Sequence, residues 1–451
     1  MHQKITWITQ KTIEFYFWLR QKIVRKEIGE ATLRTLPFWI ASLITGFVAV
    51  GYEKLFSIFE KWGASLTSQH PFLSFLFIPC AFLLSWWLVQ RFAPTARGSG
   101  IPQLMASIEL ANPRSDLQVD KLLGLRIALV KILSSLSLLL GHGAIGREGP
   151  TLQISASIFR FINRTLPDFW PPISRRIMLV TGGASGLAAA FNTPLGGIVF
   201  VVEELTKTHI TRFRTAVFAS VIIAGMTAQA LLGPYLYLGF PKITPVGYSF
   251  VWVVMIAGAV SGWAGAYLAK LLLALTEWRN RYFLGQVRQI FFVVGLGLLF
   301  ATLLYFTGEG TGGSGKTLMN RLLFSSEKQV HWYEFGGRFV GPILCYLCGG
   351  AGGIFATSLS AGAALGALIA EILQVAQANY NLIILVSMVG YLTGVTRSPF
   401  TSAILVLEMT DRHSAIFYLL LAAMIASLIG HYIDRKSFYE HLKERFIAET
   451  T

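Results

Sequence analysis

The sequence predicts an all-α, polytopic membrane protein, and three observations carry that reading. Of 451 residues, 54% are hydrophobic and 14% charged, against roughly 25% charged in an average soluble domain. Mean hydropathy is +0.58. Apolar runs of about 20 residues, the length a helix needs to span the hydrocarbon core, recur from Leu36 to Tyr432. In lipid every backbone polar group must be paired within the protein, which leaves helices or closed barrels. The short alternating segments of a barrel are not seen, and soluble globular, disordered, collagen-like and coiled-coil classes are excluded. A net charge of +15 would suggest nucleic acid in a soluble protein. Here Lys and Arg cluster at segment ends, as cytoplasmic loops require, so no nucleic-acid partner is expected.

Taken in order, residues 1–35 carry Lys4, Lys11, Arg20, Lys22, Arg25, Lys26 and Arg34 ahead of the first apolar span. They read as a cytoplasmic amphipathic segment against the bilayer, too long and too polar for a cleaved signal. Apolar stretches follow near 36–58, 71–90, 119–140, 176–203, 214–238, 249–275, 289–306, 337–375, 380–409 and 415–432. They divide into a first transmembrane repeat (36–210), a second (211–432) and a short cytoplasmic tail (433–451) carrying Tyr439. Gly and Pro interrupt them at Gly98–Pro102, Gly141–Pro150, Asn192–Pro194, Cys348–Thr357 and Arg397–Pro399. Such breaks are tolerated at membrane depth only where the freed backbone is buried in protein or lines a cavity.

The division into repeats rests on an echo. Asn192-Thr-Pro-Leu-Gly-Gly-Ile-Val-Phe-Val-Val-Glu203 returns in pattern as Arg397-Ser-Pro-Phe-Thr-Ser-Ala-Ile-Leu-Val-Leu-Glu408, with Pro194 and Pro399, and Glu203 and Glu408, 205 residues apart. Gly146–Pro150 echoes Gly353–Thr357 at a separation of 207. Paired broken helices in two halves point to a transporter with its site at the repeat interface.

The site itself is expected at three Gly-bearing turns, each opening a helix: Gly98, Ser99, Gly100, Ile101 and Pro102; Gly146, Arg147, Glu148, Gly149 and Pro150; Gly353, Ile354, Phe355, Ala356 and Thr357. Glycine lets backbone approach a ligand closely, and helix N-termini present unpaired N–H groups at the positive end of the dipole. Three converging starts make an anion site. Glu148 is then a carboxylate at the mouth of that site. Ionised, it can imitate the anion; protonated, it can swing aside, linking proton to anion. Intramembrane acids default to function. Glu203 and Glu204 end an apolar run ahead of Lys207, His209, Arg212 and Arg214. Lys131, inside an apolar run, should have a carboxylate partner or snorkel, and His142 reads as a turn residue.

Two matches are set aside. Gly310-Thr-Gly-Gly-Ser-Gly-Lys316-Thr317 fits the phosphate-loop pattern, but it follows a run of membrane-helix length, Phe291–Thr307, where that chemistry needs a buried strand; it reads as a flexible loop. Cys345-Tyr-Leu-Cys348 has CxxC spacing, but it has no second pair and no nearby acid or His, so no metal or redox site is expected.

At these residues the sequence resembles the CLC family of chloride channels and chloride/proton antiporters. The markers are Gly98–Pro102, Gly146–Pro150, Ala188-Ala-Ala-Phe-Asn-Thr-Pro194, Gly353–Thr357 and Leu407-Glu-Met-Thr410. Thr357 stands where the family usually has proline, which would alter the helix start. The resemblance implies a homodimer with one pore per subunit and two inverted halves in each. It implies that the Ser99 hydroxyl, the amides of Ile354 and Phe355 and the Tyr439 hydroxyl hold chloride. Glu148 matches the external gating glutamate and Glu204 the internal proton-transfer glutamate. Tyr439 is placed by Lys436-Ser-Phe-Tyr439. The family's tandem cytoplasmic domains are not expected, since about 19 residues follow Tyr432.

The expected function is chloride/proton exchange without cofactor, metal or nucleotide, in a bacterial inner membrane with both termini cytoplasmic. Glu204 favours exchange and Ser99 favours chloride. A passive chloride channel stays open as the alternative, and a nucleotide-driven pump on Gly310–Thr317 is the rival from another class.

Overall fold

Every break in the apolar pattern ends at a helix start. The computed structural model describes residues 22, 29–112, 115–206, 214–233, 236–247, 250–326 and 328–450, and most of the expected N-terminal amphipathic segment, residues 1–21 and 23–28, lies outside them. The first half runs α1 (Glu30–Gln69), α2 (Ser74–Phe92), α3 (Ile101–Glu109), α4 (Asp116–Leu122), α5 (Leu125–Leu140), α6 (Glu148–Thr165), α7 (Arg175–Phe191) and α8 (Pro194–Phe200). A π-helical turn, Val201–Thr206, ends α8. The second half runs α9 (Arg214–Leu232), α10 (Val251–Tyr282), α11 (Gln286–Thr307), α12 (Lys316–Phe324), α13 (Trp332–Leu347), α14 (Phe355–Ile372), α15 (Tyr380–Thr396), α16 (Pro399–Thr410) and α17 (Ile416–Ile433). A last helix, α18 (Phe438–Thr450), follows. Among the described residues nine helical stretches are long and apolar enough to cross a membrane.

The repeat is written into the backbone. Asn192 and Arg397 end α7 and α15 in the left-handed region, at φ 57° and 61°. Pro194 and Pro399 then open α8 and α16, where proline's fixed φ suits a first helical position and its missing N–H costs nothing. The second half forms the densest part of the molecule: α15 is wrapped by α10, α14 and α17. Small residues make that approach possible, as they must where lipid gives no hydrophobic drive between helices. A Cβ at Gly362 would stand 2.7 Å from the Met388 Cα.

Three expectations change. Residues 433–451 are more than a tail: most of them form α18, which packs on α3. The first span is a 40-residue helix starting at Glu30, ahead of the expected boundary at 36. The Gly310–Thr317 stretch is a tethered loop: Arg338 donates to the carbonyls of Gly312 and Gly313 at 2.6 and 3.0 Å, and Glu60 accepts from the Ser314 N–H at 2.5 Å. A helix and not a strand precedes it, so the phosphate-loop context fails.

Candidate functional site

Backbone pairing joins the three glycine turns. The Gly98 N–H donates to the Gly350 carbonyl at 2.8 Å and Gly352 donates back to Gly98 at 3.1 Å. Gly146 and Gly353, the repeat-matched glycines, exchange both bonds at 2.7 and 2.8 Å. The third turn is thus stitched to the first and to the second, and the N-termini of α3, α6 and α14 meet at one place. Gly100, at φ +107°, fits because it lacks a Cβ, which would stand 2.7 Å from the Gly149 carbonyl.

Lys131 supports this assembly in an unexpected way. It is fully buried and, with no carboxylate partner among the described residues, donates to the Gly98 carbonyl at 2.8 Å. The Gly98 carbonyl thus accepts twice, from the Gly352 N–H and from the ammonium, which ties Lys131 to the pairing of the first and third turns. Hydropathy flagged the buried charge but could not say which acceptor would meet it.

Ser99 is 1% exposed and Tyr439 0%. Their hydroxyls approach one another, and neither closes a well-formed hydrogen bond with the protein. Ile354 and Phe355 are the N-cap and first residue of α14, so the helix itself cannot pair their N–H groups. Hydroxyls and amides of this kind are what a dehydrated anion needs. Thr357 leaves the start of α14 at Phe355, and its hydroxyl donates to the Ile354 carbonyl at 3.0 Å. Tyr439 is set by a reciprocal cap at the start of α18: Ser437 N–H donates to Glu440 Oε2 at 2.9 Å and Glu440 N–H to Ser437 Oγ at 3.1 Å. Ion pairs Lys443–Glu109, at 2.7 Å, and Arg97–Glu449, at 2.5 Å, hold α18 to the first turn and α3.

Glu148 opens α6 and is 0% exposed. Its carboxylate lies over Gly146 and faces the N–H groups of Glu148 itself and Ala356, with neither oxygen in a well-formed hydrogen bond. One acid therefore reaches from the N-terminus of α6 to that of α14. Arg147 turns away and pairs with Glu53 of α1, a partner that sequence reasoning missed. His142, at φ 52°, is a turn residue whose Nδ1 lies 3.0 Å from Thr67 Oγ1. Cys345 and Cys348 are buried free thiols.

Glu203 and Glu204 part company. Glu203 crosses to the start of α16, accepting from the N–H groups of Phe400 and Thr401 at 3.1 and 2.6 Å and from the Thr401 hydroxyl at 2.7 Å. Glu408 does the mirror service, accepting from Leu195 and Gly196 N–H at 3.0 and 2.6 Å at the start of α8. Each half's terminal acid caps the other half's broken helix. Glu204 turns inward, 4% exposed, and accepts from Ser398 Oγ at 2.5 Å. The Tyr439 phenol lies within electrostatic reach of both Glu204 and Glu148. Ser398 is the second residue that the sequence left unread; its signal was its place just before Pro399.

Comparison with known proteins bears on the family and the fold. The family described as "Voltage gated chloride channel" matches residues 80–431. The H(+)/Cl(-) exchange transporter ClcA of Salmonella agona (strain SL483) is 28% identical over 428 residues, covering 91% of this chain and 88% of that one. A solved slow cyanobacterial Cl-/H+ antiporter superposes with a TM-score of 0.77 at 25% identity, over 92% of this chain and 98% of the other. A CLC-type fluoride/proton antiporter matches in fold, with a TM-score of 0.76 at 18% identity over 91% and 97%.

Proposed function

This chain belongs to the voltage gated chloride channel family, and from that premise we propose that it exchanges chloride for protons across a membrane. The observation that carries the reading is Glu148, a buried carboxylate facing the N-termini of two helices at once. That is the electrostatic place for an anion. Chloride and the ionised side chain compete for it. Protonation removes the charge that holds Glu148 there, the side chain leaves, and chloride takes its place. One cycle therefore couples one ion's passage to the other's.

Ser99, Ile354, Phe355 and Tyr439 bind the central chloride in this reading, and Glu204 passes protons toward Glu148 from the cytoplasmic side. The protein works as a homodimer with one pore per subunit, in the inner membrane of a bacterium, with both termini cytoplasmic; the basic segment ends support that orientation. Purified protein in liposomes, given a chloride gradient and no nucleotide, should move protons uphill. Chloride flux without proton movement would make it a channel, and a need for nucleotide would revive the Gly310–Thr317 rival.

A further inference from the structure

Ser398 stands at the N-cap of α16, yet its hydroxyl does not cap. A serine there ordinarily accepts from the second or third N–H of the helix, and Ser398 makes no such bond. Those two N–H groups, on Phe400 and Thr401, are already held by Glu203. The buried hydroxyl donates instead to Glu204 Oε2 at 2.5 Å, within the range for an O–H···O⁻ bond. Its alternative acceptor, the Thr396 carbonyl, is at 3.5 Å.

The other half shows what this bond depends on. Thr193, 205 residues earlier, is the N-cap of α8 and likewise makes no cap bond. Glu408 holds the N–H groups it would have served, and its buried hydroxyl closes no hydrogen bond. The residue after Glu408 is Met409, where the first half has Glu204. Both halves free a hydroxyl from capping; one half supplies an acid to receive it.

We propose that Ser398 is a positioning residue for proton transfer at Glu204. Its hydroxyl fixes the direction of the carboxylate and holds it while it is ionised. When Glu204 takes up a proton, the hydroxyl can turn toward the Thr396 carbonyl, 3.5 Å away. Glu203 makes this possible by relieving Ser398 of the cap. The inference rests on the reading of Glu204 as the internal proton-transfer acid.

The test measures proton and chloride fluxes together in proteoliposomes for S398A, S398V, S398T and E204Q. S398A and S398V should lower proton flux about tenfold, the scale of a lost hydrogen bond to a charged group, with chloride flux unchanged. S398T keeps the hydroxyl in the shape of valine and should restore the wild-type ratio. A wild-type ratio in S398A would overturn the proposal, as would an S398T as defective as S398V, which would make the effect one of shape. The parallel E204Q separates the two readings. If it loses coupling while S398A keeps it, Ser398 alone falls; if E204Q still couples, the Glu204 reading falls and Ser398 with it.

Discussion

The two crossed caps are near mirror images, and they differ at one following residue. Glu203 caps α16 and Glu408 caps α8, each through two adjacent N–H groups. After Glu203 comes Glu204, buried and bonded to Ser398; after Glu408 comes Met409, buried and apolar. The duplicated architecture is thus a scaffold in both halves and a candidate proton path in one. Glu203 and Glu408 each spend both carboxylate oxygens on helix N–H groups of the other half, which suits a structural cap. Glu204, the next residue, turns inward instead and accepts from a side-chain hydroxyl, Ser398 Oγ.

The largest effect should come from removing the shared destination. Glu148→Gln leaves no carboxylate to accept the proton or to compete with chloride, so chloride-driven proton flux should fall to background while chloride still moves. Proton pumping at the wild-type level in E148Q would remove Glu148 from the mechanism and leave the asymmetry at Glu204 without a purpose.

A smaller effect sharpens the scaffold side. Glu203→Ala and Glu408→Ala each leave two helix N–H groups without their carboxylate, one part-buried and one exposed, and should cost about 3 kcal/mol, from bonds to a charged group worth roughly 1.5–3 kcal/mol each. Thermal unfolding in detergent should show both losses, larger for E203A because Glu203 also holds the Thr401 hydroxyl. Equal stability of E408A and wild type would show that the caps are not structural partners.

The smallest effects belong to the anion site. Ser99→Ala and Tyr439→Ala each remove a neutral hydroxyl worth about 1 kcal/mol, so chloride affinity by calorimetry should weaken about fivefold. Ser99→Pro should shift preference toward nitrate. Unaltered affinity and selectivity in all three would take these side chains out of the site.

Much of this was legible in the sequence because it is periodic or local. Helix breaks, the 205-residue echo and the three glycine turns are properties of short stretches, and the helices start where those stretches place them. What stayed hidden was cross-chain pairing. A buried Lys131 announces that it needs a partner, but only the fold brings the Gly98 carbonyl to it. Ser398 looks like an ordinary cap because nothing local reveals that Glu203, 195 residues earlier, has taken its place. α18 escaped for a different reason: mostly polar, it carries no hydropathy signal, and its capping box and its buried Phe438, Tyr439, Leu442 and Phe446 hold it to the core.

The most direct test of the central claim, that the acid beside the cap carries protons while the capping acid does not, compares Glu204→Gln with Glu203→Gln in one proteoliposome assay of chloride-driven proton flux. The account predicts no proton flux but continued chloride flux for E204Q. For E203Q it predicts a lower melting temperature with coupling retained. Uphill proton pumping by E204Q, or coupling lost in E203Q alone, would contradict it.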